Sequence, residues 1–297
     1  MGILLERLAE KKILVSDGAW GTMLQSKGMT SNDCPEEWNV SHPEEVKSVA
    51  AAYAEAGSDI ILTNTFGGSS VKLGKMGHGN RVAELNEAGA RNSLEVAGNA
   101  LVAGSVGPTG EFVKPYGNMT LSEMEAVFTD QIEAMLKAGL KAICVETMAA
   151  IEEAICAIRA AKRLDASVDV LATMTFESGP KGYHTIMGVD PASAARELVA
   201  AGADVVGSNC GNGIEQMVGI AAEFRKHTDR PILIHANAGL PELVDAKTVF
   251  KQSPEHMAAR VEELIDAGAN IVGGCCGTTP QHIVAMREVV TRIRQSG

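Results

Sequence analysis

One unit recurs eight times along this chain, and few folds accommodate it. A short aliphatic run leads into a polar or glycine-rich loop, and an amphipathic segment follows. The runs are "ILVSDGAWG" (13–21), "DIILTNTFG" (59–67), "ALVAGSVGP" (100–108), "KAICVETM" (141–148), "VDVLATMTFE" (168–177), "DVVGSNCG" (204–211), "PILIHANAG" (231–239) and "NIVGGCCG" (270–277). Uninterrupted aliphatic runs of this length read as strands buried on both faces, as in a parallel sheet. The intervening segments have helical spacing: Leu121, Met124, Phe128, Ile132 and Met135 in 121–136, and Ile283, Met286, Val290 and Ile293 after the last run. An Ala-Gly pair stands just before four of the runs, at Gly57, Gly139, Gly202 and Gly268. Glycine there suits the left-handed residue that stops a helix. Eight β-α units in 297 residues predict an α/β fold, a single (β/α)8 TIM barrel that takes up the whole chain as one domain. A doubly wound open sheet is the alternative. No G-x-G-x-x-G follows the first run, which argues against its dinucleotide-binding form.

Charge narrows the partners. The net charge is −11 and no basic run occurs, which argues against nucleic acid and against anionic membranes. No apolar stretch approaches the roughly 20 residues that span a bilayer. Charges interrupt the first ten residues, unlike a signal peptide, so the expected location is cytoplasmic. Six cysteines are present, Cys34, Cys144, Cys156, Cys210, Cys275 and Cys276, with no C-x-x-C among them. In a reducing compartment neither a disulfide framework nor a zinc ribbon is expected.

In a (β/α)8 barrel the chemistry sits at the C-terminal ends of the strands. That rule selects Asp17; Asn64 and Thr65; Glu146 and Thr147; Glu177; Asn209 and Cys210; His235 and Asn237; and Cys275 and Cys276. Adjacent side chains on a strand point to opposite faces, so Cys275 and Cys276 can act together only where strand geometry breaks. Gly273, Gly274 and Gly277 are expected to let the backbone do so. The sixth and eighth strands are two apart and point into one layer of the barrel, which brings Cys210 to the pair. Three convergent thiols fit a zinc ion with an open fourth position. Buried thiols acting as small hydrophobes and a vicinal redox dithiol are the alternatives that spacing leaves open. Cys144 reads as core. Asp17 and Glu146 end apolar runs, where solvent exposure is not the default, and are candidate functional carboxylates. Glu177 and His235 receive no role. Thr278-Thr279-Pro280 reads as the cap and first turn of the last helix.

"DGAWGT", "TNTFG", "GSVGPTGE", "CVET", "GSNCG", "HANAGLP" and "GGCCGTTPQHI", spread from about residue 10 to residue 295, together resemble the homocysteine S-methyltransferase domain family. Within it they are most similar to the homocysteine-binding module of its cobalamin-dependent members. The resemblance implies a barrel whose zinc is held by Cys210, Cys275 and Cys276, with the homocysteine thiol in the fourth position. It implies that Asp17 and Glu146 meet the substrate ammonium, that the backbone around Gly21 and Thr22 meets its carboxylate, and that Asn237 lies beside the metal. Where the family usually has a proline before this asparagine, this chain has Ala236. Relatives take the methyl group from methylcobalamin charged from methylfolate, from betaine or from S-methylmethionine. "GPTGEFVKPYG" and "HANAGLP" lean toward the cobalamin type. The eighth unit is followed by no folate-binding barrel or cobalamin module, so the expected donor is a methylated corrinoid on a separate protein. Another thiol acceptor, or a homocysteine- or zinc-binding protein without turnover, are the remaining readings.

Overall fold

Aliphatic runs that must each bury both faces need cover on both sides, and a sheet closed on itself with helices outside supplies it. The computed structural model of the chain describes residues 2–180, 182–244 and 247–296. Its centre is eight strands: β1 (Leu14–Val15), β2 (Ile60–Leu62), β3 (Leu101–Val106), β4 (Ala142–Met148), β5 (Asp169–Met174), β6 (Val205–Asn209), β7 (Ile232–Ala236) and β8 (Ile271–Gly274). Each pairs in parallel with the next, and β8 pairs with β1. A parallel bridge between Ser16 and Ile60 joins β1 to β2. The expected barrel is the observed one. No helix among the described residues is long and apolar enough to cross a membrane.

The strands are shorter than the runs that announced them, because the tail of each run is already loop. The run at 168–177 divides: β5 stops at Met174, and Glu177–Gly179 pairs antiparallel with Gly182–His184 in a hairpin beyond it. Glu177 is therefore an exposed hairpin residue, not a barrel strand end. A second hairpin, Glu242–Val244 with Lys247–Val249, lies in the loop after β7.

Every strand sends a side chain into the barrel interior: Leu14, Ile60, Leu101, Ala142, Leu171, Val205, Leu233 and Ile271 form one cluster. Cys144 belongs to it and is fully buried, as a small hydrophobe would be. Leu4 and Leu8, from the first helix (Ile3–Lys11), complete the same cluster and cork the end opposite the loops. Outside, Met124, Phe128, Ile132 and Met135 of the helix Leu121–Lys137 are fully buried. Leu121 itself, the first residue of that helix, is 54% exposed at the upper rim. The four predicted helix stops are left-handed, with φ of +87° at Gly57, +109° at Gly139, +114° at Gly202 and +111° at Gly268.

The corked end is held by charge. Asp59 accepts from Lys11 at 2.7 Å, Arg287 at 2.7 Å, Arg294 at 2.8 Å and the Val15 N–H at 3.0 Å. Burial opposes its ionisation, but the Lys11 bond, the Val15 N–H and the two arginines outweigh it and bring the carboxyl down to about 2. Asp59→Asn is expected to cost about 2–3 kcal/mol at pH 7, less than a fully buried pair because the cations are partly exposed. A carboxylate lowered in the folded state stabilises fully above its unfolded pKa, here 3.8, and loses that contribution as pH falls through about 2. Urea denaturation should therefore show the gap between mutant and wild type shrinking as pH drops below 4. A gap independent of pH would contradict the assignment.

Candidate active site at the upper mouth of the barrel

The three cysteines arrive by different local routes. Cys210 follows β6 and takes a left-handed φ of +60°, uncommon without glycine, while its N–H donates to His235 O at 3.1 Å. Cys275 follows β8: its N–H donates to Ala236 O at 2.7 Å, and its carbonyl accepts the Thr278 hydroxyl at 2.7 Å. Cys276 accepts the Ala238 N–H at 3.0 Å, and Gly277 then turns the chain at φ +81°. Gly273 and Gly274 do not break the strand as expected; both lie within β8. They are glycine for space. A Cβ on Gly274 would stand 2.2 Å from Thr278 Oγ1, and one on Gly273 would stand 2.9 Å from the Asp17 carbonyl oxygen.

The three sulfurs lie within 4.8 Å of one another, with Cys210 Sγ and Cys276 Sγ at 3.9 Å. Ligands at about 2.3 Å from a tetrahedral zinc stand roughly 3.8 Å apart, so this donor set fits the ion. All six cysteines are free thiols. Cys210 is held well below the ordinary thiol range, because Cys275 and Cys276 donate to its sulfur. The pair is pushed up in turn by holding those protons against the Cys210 charge. A redox dithiol would need two sulfurs and gives no reason for the third to converge.

Two carboxylates face the same mouth. Asp17 is 1% exposed; it accepts from Trp20 Nε1 at 2.9 Å, Leu62 N–H at 2.8 Å and the Ser16 hydroxyl at 3.2 Å. Glu146, at the end of β4, accepts the Ser105 hydroxyl at 2.5 Å and Asn209 Nδ2 at 3.3 Å. Burial raises Asp17 to about 6. Burial raises Glu146 to about 7, with the Asp17 and Cys210 charges adding to it. Among the described residues neither carboxylate is paired with a cationic side chain. His235 cannot supply the missing charge, since burial pushes its imidazole down to about 4 and keeps it neutral.

The remaining candidates divide. Asn237 is buried beside Cys210 and favours its thiolate. Asn237 Oδ1 and His235 Nε2 are buried with no hydrogen-bond partner among the described residues. Gly21 opens the short helix Gly21–Ser26, Thr22 is its second residue, and a Cβ on Gly21 would meet nothing within 4 Å. Asn64 and Thr65 do not join the site. Asn64 is bound to Asn39 and to Pro35 O, and Thr65 to Thr63 and Ser105 O. Asn209, selected as a strand end, supports the site from β6; Trp20, Ser105 and Thr173 do so without having been singled out as site residues. Of these three, only Trp20 left a cue, its place three residues after Asp17 in a forming helical turn.

Comparison with known proteins decides the family. The model of the homocysteine S-methyltransferase family matches residues 14–290. The chain belongs to the homocysteine S-methyltransferase family. Among relatives, it is 30% identical to methionine synthase of Mycobacterium tuberculosis over 98% of its own length, and 30% identical to that of Mycobacterium leprae over 97%. The chain spans about a quarter of the length of these relatives, 26% and 25%. In fold it is similar to the homocysteine methyltransferase MmuM from Escherichia coli. The oxidised form aligns with a TM-score of 0.80 over 96% of this chain and 98% of that one, and the metallated form with 0.79 over 96% and 99%, both at 22% identity. The family's usual proline is Ala236 here, yet the position is not loose: Ala236 is buried at the end of β7, paired with Gly274.

Proposed function

We propose that this chain is a zinc-dependent S-methyltransferase that moves a methyl group onto the thiol of homocysteine to give methionine. One observation carries the reading: three thiols and two buried carboxylates share a mouth where, among the described residues, no side-chain cation balances either carboxylate. Such a site calls for cations from outside, and a zinc ion and a substrate ammonium are the two that family membership suggests. Cys210, Cys275 and Cys276 would hold the metal. The chemistry a bound zinc supplies is a substrate thiol kept deprotonated at neutral pH and fixed in place. Glu146 and Asp17 take the ammonium, and the backbone at Gly21 and Thr22, where the structure leaves open space, takes the carboxylate. Asn237 walls the sulfur side. The chain thereby orients the sulfur toward an incoming methyl carbon. The new C–S bond forms as the methyl leaves its donor, and the thiol proton is lost to solvent.

A charge-assisted hydrogen bond is worth about 1.5–3 kcal/mol. Glu146→Gln or Asp17→Asn should therefore weaken homocysteine binding by roughly tenfold or more while zinc stays bound. Calorimetry that finds unchanged affinity would remove the carboxylates from the substrate grip.

The proposed donor is a methylated corrinoid carried by a separate protein. Large apolar side chains on the loops around the mouth support a docking face there: Phe112, Tyr116, Ile186, Leu240 and Leu243 are all exposed. A donor that must leave to be recharged calls for a small contact, below about 1,200 Å². The zinc-loaded protein should methylate homocysteine slowly from free methylcobalamin, not at all from methylfolate, and far faster from a methylated corrinoid protein. Rapid turnover with S-methylmethionine or betaine and none with any methyl-corrinoid would replace the donor and leave the acceptor site standing.

A further inference from the structure

Two of the strand ends that carry the site, those of β4 and β6, are kinked. β4 slips register between Val145 and Met148. Within the slip, Thr147 has φ +62°, a conformation that a β-branched residue rarely adopts. Facing it, Cys210 leaves β6 at φ +60°. Irregularities of this kind beside active sites re-aim a side chain, and here the side chain next to the kink is Glu146.

Asn209, fully buried, ties the two ends together. Its Oδ1 accepts the Thr147 backbone N–H at 2.7 Å and the Thr173 hydroxyl at 2.7 Å. A backbone N–H can only donate, so the amide has one orientation and its Nδ2 must face the other way. Nδ2 donates to Thr147 Oγ1 at 2.7 Å and to Glu146 Oε2 at 3.3 Å, and lies 3.8 Å from Cys275 Sγ. A single side chain thus clamps the left-handed residue, the carboxylate before it and one sulfur of the cluster. Ser105 holds only Oε1 of Glu146, about which the carboxylate could still swing.

We infer that Asn209 is the positioning residue that fixes the separation between the Glu146 carboxylate and the sulfur cluster, so that the site selects thiols bearing an ammonium at the homocysteine spacing over thiols at large. The inference rests on the reading of Glu146 as a ligand of the substrate ammonium.

The test compares two thiols on the zinc-loaded protein by calorimetry: homocysteine, and 4-mercaptobutanoate, which keeps the thiol and carboxylate and lacks the ammonium. Asn209→Leu, of equal heavy-atom count, should lower homocysteine affinity about tenfold and leave zinc stoichiometry and 4-mercaptobutanoate affinity as in the wild type. Thr173→Val, which removes one anchor of Oδ1, should move the same ratio in the same direction by a smaller factor, and it decides the matter if Asn209→Leu fails to fold or to hold zinc. Because Asn209 acts through Glu146, adding Asn209→Leu to Glu146→Gln should cost nothing further. Equal losses for both thiols, or additive losses in the double variant, would overturn the inference and leave Asn209 a strut of the barrel. If Glu146→Gln itself fails to discriminate between the two thiols, the ammonium reading falls instead, and this inference falls with it.

Discussion

Alanine at Cys210, Cys275 or Cys276 is expected to give a folded protein that has lost zinc and methyl transfer together. The wild type, as purified, should carry close to one zinc. The three sulfurs stand at the mouth, only partly buried, so shortening one should leave the core intact and leave the proposed metal site with two sulfurs, short of the three protein ligands of a catalytic zinc. Cys144→Ala is the matched control. That thiol sits inside the barrel, and its loss should cost some stability and no metal. Metal analysis and single-turnover assays on the four variants separate the two roles. Full activity in a metal-free preparation would end the zinc assignment.

Gly207→Ala should be nearly as severe, by another route. Gly207 lies on β6, and a Cβ there would stand 1.9 Å from Leu233 O, a backbone atom of β7. No rotamer relieves a clash with backbone, so the two strands have to part. The same seam carries the Cys210 N–H to His235 O bond, and the sulfur cluster would be disturbed with it. Overpacking usually costs 1–3 kcal/mol and more when nothing can give; here about 3 kcal/mol or more is expected, with loss of zinc. Gly74→Ala is the control, since a Cβ there meets nothing within 4 Å and alanine favours a helix over glycine by up to about 1 kcal/mol. Thermal unfolding should show the first variant strongly destabilised and the second unchanged or improved. Wild-type stability in Gly207→Ala would mean that the seam opens freely.

The barrel was legible because its signal is periodic and repeated: eight aliphatic runs survive uncertainty in any one of them. The site was legible where rare chemistry stood at a strand end, as at Cys210, Cys275 and Cys276. What stayed hidden depends on distance across the sheet. Nothing in the order of residues says that Asn209 reaches Thr147, or that Ser105 reaches Glu146. The reason for Gly273 and Gly274 was misread for the same cause, since the crowding by Thr278 and Asp17 exists only once the chain has closed. Glu177 was placed on a strand because an aliphatic run does not mark where a sheet ends and a hairpin begins.

Leu4 and Leu8 cork one end of the barrel, and a vessel with one opening imposes an order on its traffic. In the proposed reaction, thiol, methyl donor and thioether would all have to use the loop side. A bulky donor covering that side would shut homocysteine out if it arrived first, and would trap the product until it left. Kinetics should therefore be strictly sequential, with the amino acid first on and last off. The donor should be a dead-end inhibitor when it is supplied in excess before the thiol.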